Sequence, residues 1–201
     1  MCAGLTGPFP QRIAQPEAAP DHIAPPARSI AAALSIREYS DALAGDFYRI
    51  NAAWIQSMFT MEPNDHELLS HPRELIIDRG GVILFVEAEG LGVVGTCALM
   101  KIREGCFELT KMGVLDTARG QKAGEFLLRE ILRRAEAMQI ETLYLLTSTK
   151  CAAAIHLYEK LGFLHDADIK RSCGSRYQRC DVAMSFGGWH ARRQAPRLPP
   201  W

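Results

Sequence analysis

Residues 114–128 read VLDTARGQKAGEFLL. An apolar pair, Val114-Leu115, passes through a short turn holding Arg119 and Gly120 straight into a run whose Phe126, Leu127, Leu128, Ile131, Leu132, Ala135 and Met138 recur three and four apart. That spacing puts them on one stripe and predicts a long amphipathic helix over 120–138. The segment Thr142 to Thr147, TLYLLT, comes next; it is short, β-favouring and nearly all apolar, as suits an interior strand covered on both faces. Strand, helix and strand in this order require a parallel crossover, which is right-handed in almost every known case. The class is therefore α/β.

Working outward, the upstream pattern alternates in the β manner over Val82–Glu87, Val93–Met100 and Cys106–Val114, with Gly-bearing turns at 88–92 and 103–105. Connections this short predict an antiparallel meander. Earlier still, Leu34–Arg37 fits a short strand, although the neighbouring alanines suit a helix equally. Asp41–Phe59 has helical spacing with Asp41 as N-cap, Glu62-Pro63-Asn64-Asp65 reads as a turn, and Pro72–Asp78 as a short helix stopped by Gly80-Gly81. Downstream, Ala152–Leu161 predicts a second helix closed by Gly162 at the left-handed position after its end, and Tyr177–Phe186 a final strand. The expected architecture is a three-layer α/β sandwich around a mixed sheet.

The chain has 201 residues, 48% hydrophobic and 23% charged, which suits one domain with a real core, placed at 29–188. The Pro/Ala-rich 1–28 and the basic, Pro-rich 189–201 lack any apolar period and read as disordered tails. Lys plus Arg and Asp plus Glu both total 23, so the global field that draws proteins onto nucleic acid or anionic lipid is missing. The most apolar stretch, Gly81–Met100, is broken by Glu87 and Glu89, and the first residues lack the pattern of a signal peptide. Six scattered cysteines without a CxxC read as reduced thiols. The expectation is a cytoplasmic protein with neither nucleic-acid nor membrane partners; oligomeric state stays open, a homodimer included.

The turn at 119–125 is where ligand chemistry enters. The first amides of a helix lack carbonyl partners and carry the positive end of the macrodipole, so the backbone of Gln121, Lys122, Ala123, Gly124 and Glu125 can satisfy an anion such as a phosphate. Gly120 and Gly124 remove side chains where a ligand would approach the backbone, and Arg119 and Lys122 add charge. The same glycines fit a tight turn and close helix packing. GxxxxGK[ST] does not occur, so no P-loop is signalled; the one GxGxxG, Gly90–Gly95, lies in the 88–92 turn and the strand after it rather than ahead of a helix.

With TSTKCAAAIHLYEKLGF at Thr147–Phe163 a second motif follows in order. Arg119-Gly120-Gln121-Lys122-Ala123-Gly124 and Leu157-Tyr158-Glu159-Lys160-Leu161-Gly162-Phe163 together resemble the GNAT superfamily of acetyl-CoA-dependent N-acetyltransferases. The first motif there reads roughly R/Q-x-x-G-x-G/A, and the second L-Y-x-K-x-G-F. Lys122 stands where the family usually has glycine, and Cys151 where many relatives carry an asparagine that contacts pantetheine. The resemblance implies a strongly twisted sheet splayed between Cys106–Val114 and Thr142–Thr147, acetyl-CoA in the gap, pantetheine beside the backbone of Met112, Gly113 and Val114, and pyrophosphate on the turn. It implies no metal.

It further implies that Tyr158 protonates the departing thiolate or hydrogen-bonds its sulfur, and that Glu108, where some relatives place a general-base glutamate, or a bound water chain takes the proton an alkylammonium must lose before it can attack a thioester. Tyr158 also fits a packed helix tyrosine beside Ala154 and Leu161. Glu108 also fits a strand-end carboxylate pairing Lys111 or Lys101; strand alternation puts it on one face with Thr110, Met112 and Val114. His156 is expected to face solvent, Trp54 to be core, and Cys173 and Cys180 to be structural thiols; Glu62–His66 and Ser172–Arg176 stand where the resemblance implies framing of the acceptor, and either also fits a solvated loop. The function so read is acetyl transfer from acetyl-CoA to a small-molecule, protein or peptide amine by direct attack in a ternary complex. The alternatives are a non-catalytic acyl-CoA-binding or regulatory domain, and an interaction module built on Arg192, Arg193 and Arg197.

Overall fold

A computed structural model describes residues 33–118 and 120–188. The two tails, Cys2 and Arg119 lie outside the described residues. β1 (Leu34–Glu38), β2 (Val82–Ala88), β3 (Gly92–Arg103) and β4 (Cys106–Val114) pair antiparallel in succession; the short connections require this from β2 to β4, while residues 39–81 lie between β1 and β2. β5 (Thr142–Thr147) lies parallel to β4, and β6 (Phe163–His165) and β7 (Val182–Phe186) complete one seven-stranded mixed sheet in the order β1-β2-β3-β4-β5-β7-β6.

Helices cover both faces. α1 (Ala44–Met58) and α2 (Pro63–Ser70) bury Phe47, Ile55, Leu68 and Leu69 against Ile83, Phe85 and Ala98. On the other face α3 (Ala123–Ala137) packs Leu127, Leu128, Ile131 and Ala135 onto Leu84, Val86, Leu99 and Leu109, with Tyr158 of α4 (Ala152–Lys160) joining the same cluster. These four α3 residues are the inner part of the predicted stripe, while Phe126, Leu132 and Met138 are its half-buried margins. Gly162 has φ 102° and closes α4, with Phe163 folded against Tyr158 at a ring separation of 5.7 Å.

Several expectations are corrected. Asp41 opens a single 3-10 turn rather than capping α1; its carboxylate instead accepts from Arg73 Nε at 2.6 Å and from the Tyr39 hydroxyl. The supposed turn at Glu62–Asp65 is the start of α2: Pro63 is pre-set for a first helical turn, and Glu62 and Asp65 form a reciprocal capping box. Residues 73–77 form one π-helical turn. The final strand is shorter than read, because residues before Val182 form α5 (Ala167–Cys173) and a 3-10 turn, Gly174–Arg176. Asp166 caps α5 by accepting from the amides of Asp168 and Ile169 at 3.0 Å. Cys97, Cys106, Cys151, Cys173 and Cys180 are free thiols, and among the described residues no helix is long and apolar enough to cross a membrane.

Candidate active site

β4 and β5 pair only from Cys106 with Thr142 to Leu109 with Leu145. Beyond that point β4 stays with β3, to which Gly113 and Val114 remain paired, while β5 stays with β7 through Leu145 to Thr147. Each strand is held by its outer neighbour, so the sheet opens between them. The resulting cleft has a volume of about 330 Å³ and is lined by β4 from Glu108 to Gly113, by Leu145 to Thr147, by Cys151 and Tyr158, and by Trp54, Met58 and Phe59 on the α1 side.

A bulge shapes the β4 wall. Pairing slips between Thr96 and Ala98, where β4 carries one extra residue, and Lys111 takes the left-handed φ of 52°. The alternation therefore breaks. Phe107 and Leu109 pack toward α3, and beyond the bulge so do Met112 and Val114; Glu108 lies on the opposite face. The expectation that Glu108 shares a face with Met112 and Val114 is overturned by this inserted residue. Gly113 turns toward α1, where a Cβ would come within 2.4 Å of Trp54 Cδ1. Trp54 is thus half-buried wall as well as core, held by donation from its Nε1 to Asn51 at 2.9 Å.

Glu108 is 1% exposed, yet it borders the cleft. Its partners are neither Lys111 nor Lys101: the Arg176 guanidinium donates to it at 2.6 Å and the Tyr144 hydroxyl at 3.3 Å. Burial pushes its carboxyl above the usual carboxylate range, and the positive charges of Arg176 and Lys111 oppose that push. Across the cleft Tyr158 is also buried, which raises its hydroxyl pKa and keeps it protonated; no described residue hydrogen-bonds that hydroxyl. Glu108 and Tyr158 line the same cleft from β4 and α4.

At the α3 entrance Gly120 has φ 79° with open space where a Cβ would stand, and Lys122 has φ 59°. The lysine therefore occupies a conformation natural to glycine, at a cost of about 1 kcal/mol. A Cβ on Gly124 would meet only ordinary contacts at 3.7 Å from Leu157 and Val114, so packing alone does not demand glycine there. The Gln121 amide is consumed by the turn, donating to Ala118 O at 3.3 Å, a correction to its expected role. The amides of Gly124 and Glu125 have no partner among the described residues. The Gln121 side-chain oxygen Oε1 is buried without a partner beside them in sequence. Glu125 turns its carboxylate to Arg129 and Lys160, at 2.8 and 2.7 Å, linking α3 to α4.

A buried ion network lies behind the cleft on the α2 side. Asp65, fully buried, accepts from Lys111 at 2.7 Å and from both terminal nitrogens of Arg179 at 2.7 Å; Arg179 also reaches Glu62 at 3.0 Å. Tyr177 sits between the two cations, 4.6 Å from each to its ring centre. Asn64 donates to Arg176 O at 3.2 Å, so the segments Glu62–His66 and Ser172–Arg176 meet. The sequence reading missed Asp65 and Arg179. The capping-box spacing Glu62-x-x-Asp65 was an available signal for α2, but nothing local marks a lysine 46 positions away as its partner.

The family model described as the acetyltransferase (GNAT) family matches residues 46–163, more than half of the chain. The chain belongs to the GNAT acetyltransferase family. It is an acetyltransferase by that membership, and solved structures share its fold. A GNAT-family acetyltransferase from Staphylococcus aureus Mu50 is 20% identical with TM-score 0.69, covering 77% of this chain and 98% of the other. A ribosomal-protein-alanine N-acetyltransferase from Brucella melitensis is 24% identical with TM-score 0.56, covering 75% and 98%. A spermidine N-acetyltransferase chimera from Vibrio cholerae and hSSAT is 17% identical with TM-score 0.58, covering 76% and 94%. No curated protein matches the sequence. For a GNAT fold the parted β4–β5 pair and the open α3 entrance fit an acyl-CoA: one offers a strand edge, the other unpartnered amides.

Proposed function

We propose that residues 29–188 form a domain that transfers an acetyl group from acetyl-CoA to a primary amine by direct attack within a ternary complex. The single observation that carries this reading is the parting of β4 from β5, which opens a cleft flanked by Glu108 and Tyr158. Acetyl-CoA supplies the activated acyl carbon when bound. Met112, Gly113 and Val114 line its pantetheine arm on the unpaired edge of β4. Arg119, Gly120, Lys122, Ala123, Gly124 and Glu125 hold the pyrophosphate by backbone amides and charge, and Cys151 borders the arm from the turn before α4.

Glu108, directly or through a water, accepts the proton that the ammonium must lose before its nitrogen can bond the thioester carbon. Tyr158 gives its proton to the sulfur as the carbon–sulfur bond breaks and is restored by the second proton that the nitrogen sheds, passed through water, so an amide and a free thiol result. A site that holds both reactants removes much of the entropy cost of their meeting. The names of the alanine and spermidine enzymes support an amine as the acceptor class.

Tyr158→Phe tests this account. Thiol release from acetyl-CoA with a reactive amine is expected to slow by roughly 10²-fold, with CoA affinity by calorimetry unchanged. Undiminished turnover would remove Tyr158 from the mechanism.

A further inference from the structure

Glu108, Asp65 and Glu62, at and behind the cleft, are each matched by a cation, while Asp181 is held by Thr149, the neighbour of Lys150. Glu108 is bonded to Arg176, Asp65 to Lys111 and Arg179, and Glu62 to Arg179. The cleft lining itself carries one carboxylate, Glu108, against three cations, Lys111, Arg179 and Lys150, and of these Lys150 is the one without a carboxylate partner among the described residues. Its ammonium lies over the Phe59 ring, 5.6 Å from the centre, at the cleft lining. The turn that carries it is fixed: Thr149 donates through both its amide and its hydroxyl to Asp181 at 2.7 Å, and Ser148 accepts from the Lys150 amide at 3.4 Å. Beside it, Met58 leaves 40% of its surface exposed on the cleft wall next to Phe59 and Trp54.

A polycation entering this mouth would find no lining carboxylate besides Glu108 to hold its further charges, and an unpaired ammonium repelling them. An acceptor bearing one negative group and an apolar body finds both complements: charge at Lys150 and a wall at Met58 and Phe59. We propose that the acceptor is an amino acid with an apolar side chain. Its carboxylate pairs with Lys150, its side chain lies on Met58 and Phe59, and its amine points inward to Glu108. The inference rests on the transferase reading and narrows it to a substrate class.

The test compares initial rates of thiol release with acetyl-CoA for methionine, methionine amide and spermidine. Methionine amide keeps the amine and side chain but loses the negative charge. Its less basic amine is more deprotonated at neutral pH, so intrinsic reactivity works against the expected result. Methionine is expected to show kcat/KM at least tenfold above both others. Lys150→Met is expected to raise the KM for methionine about tenfold, leaving methionine amide and the KM for acetyl-CoA unchanged, and Lys150→Glu to invert the order of methionine and its amide. A wild-type preference for spermidine or the amide overturns the inference and leaves the transferase standing. So does a Lys150→Met effect that falls equally on all acceptors or on acetyl-CoA. Thiol release with none of them, while calorimetry still shows CoA bound, removes the transferase reading and this inference together.

Discussion

Lys111 leaves the β4 ladder at φ 52° and sets its ammonium 2.7 Å from the fully buried carboxylate of Asp65, 46 positions earlier in the chain. One inserted strand residue thereby does two things. It breaks the alternation of β4 so that Glu108 and Met112 point to opposite faces, and it anchors α2 to the strand that walls the cleft. The anchor is closed by Arg179 from the segment before β7, so both sides of the mouth hang on Asp65.

That dependence sets an acid limit on stability. Burial pushes the Asp65 carboxyl up, but hydrogen bonds from Arg179 and Lys111 outweigh it and hold it at about 2, below its ordinary 3.8. A carboxyl depressed in the folded state contributes stability that is complete above its unfolded pKa and fades as pH falls toward the folded one. The contribution is about 2 kcal/mol, present above roughly pH 5 and lost between about pH 4 and pH 2. Urea unfolding across that window is expected to show the loss. Asp65→Asn, leaving the buried Lys111 without its carboxylate and Arg179 with Glu62 alone, is expected to cost about 3–5 kcal/mol at neutral pH and to flatten this part of the acid dependence.

Glu108 has the opposite sign, since burial raises its carboxyl. A base works when deprotonated, so kcat/KM is expected to climb with pH through a limb lying above the usual carboxylate range. Glu108→Gln is expected to lower kcat/KM by roughly 10²-fold and abolish that limb, with the acetyl-CoA KM unchanged. An unaltered pH profile would return the proton to water alone.

Gly113 and Trp54 are in direct contact, and the ring is tied back to Asn51, whose side chain donates to Phe47 O at 2.9 Å. Gly113→Ala is therefore expected to destabilise by about 1–3 kcal/mol through overpacking. Adding Trp54→Ala should relieve the clash, so that the double variant is less unstable than the two single losses summed. Denaturant midpoints measure both.

Much of this was legible in the sequence. The helical stripe from Phe126, the apolar TLYLLT strand and the Gly162-Phe163 stop depend on local spacing, and the structure reproduces each within a few residues. The site's two halves were visible for the same reason, since the α3 entrance and the α4 motif are continuous stretches. What the sequence hid is what the fold assembles from afar. A bulge depends on how β3 pairs with β4, so Lys111 looked like an ordinary strand residue and Met112 was put on the wrong face. The Asp65–Arg179 pair joins positions 114 apart, and Arg176 reaches Glu108 across 68. The helix α2 was passed over because its Pro-Asn-Asp opening also suits a turn. The short α5 presents too little periodicity to stand out.

The most direct measurement follows free thiol and acetylated amine in one mixture of protein, acetyl-CoA and an excess of amine. The account predicts that both appear at one rate and in equal amounts, and that neither exceeds the protein-free background when the amine is omitted. Acetyl-CoA held tightly while no amide forms would contradict it.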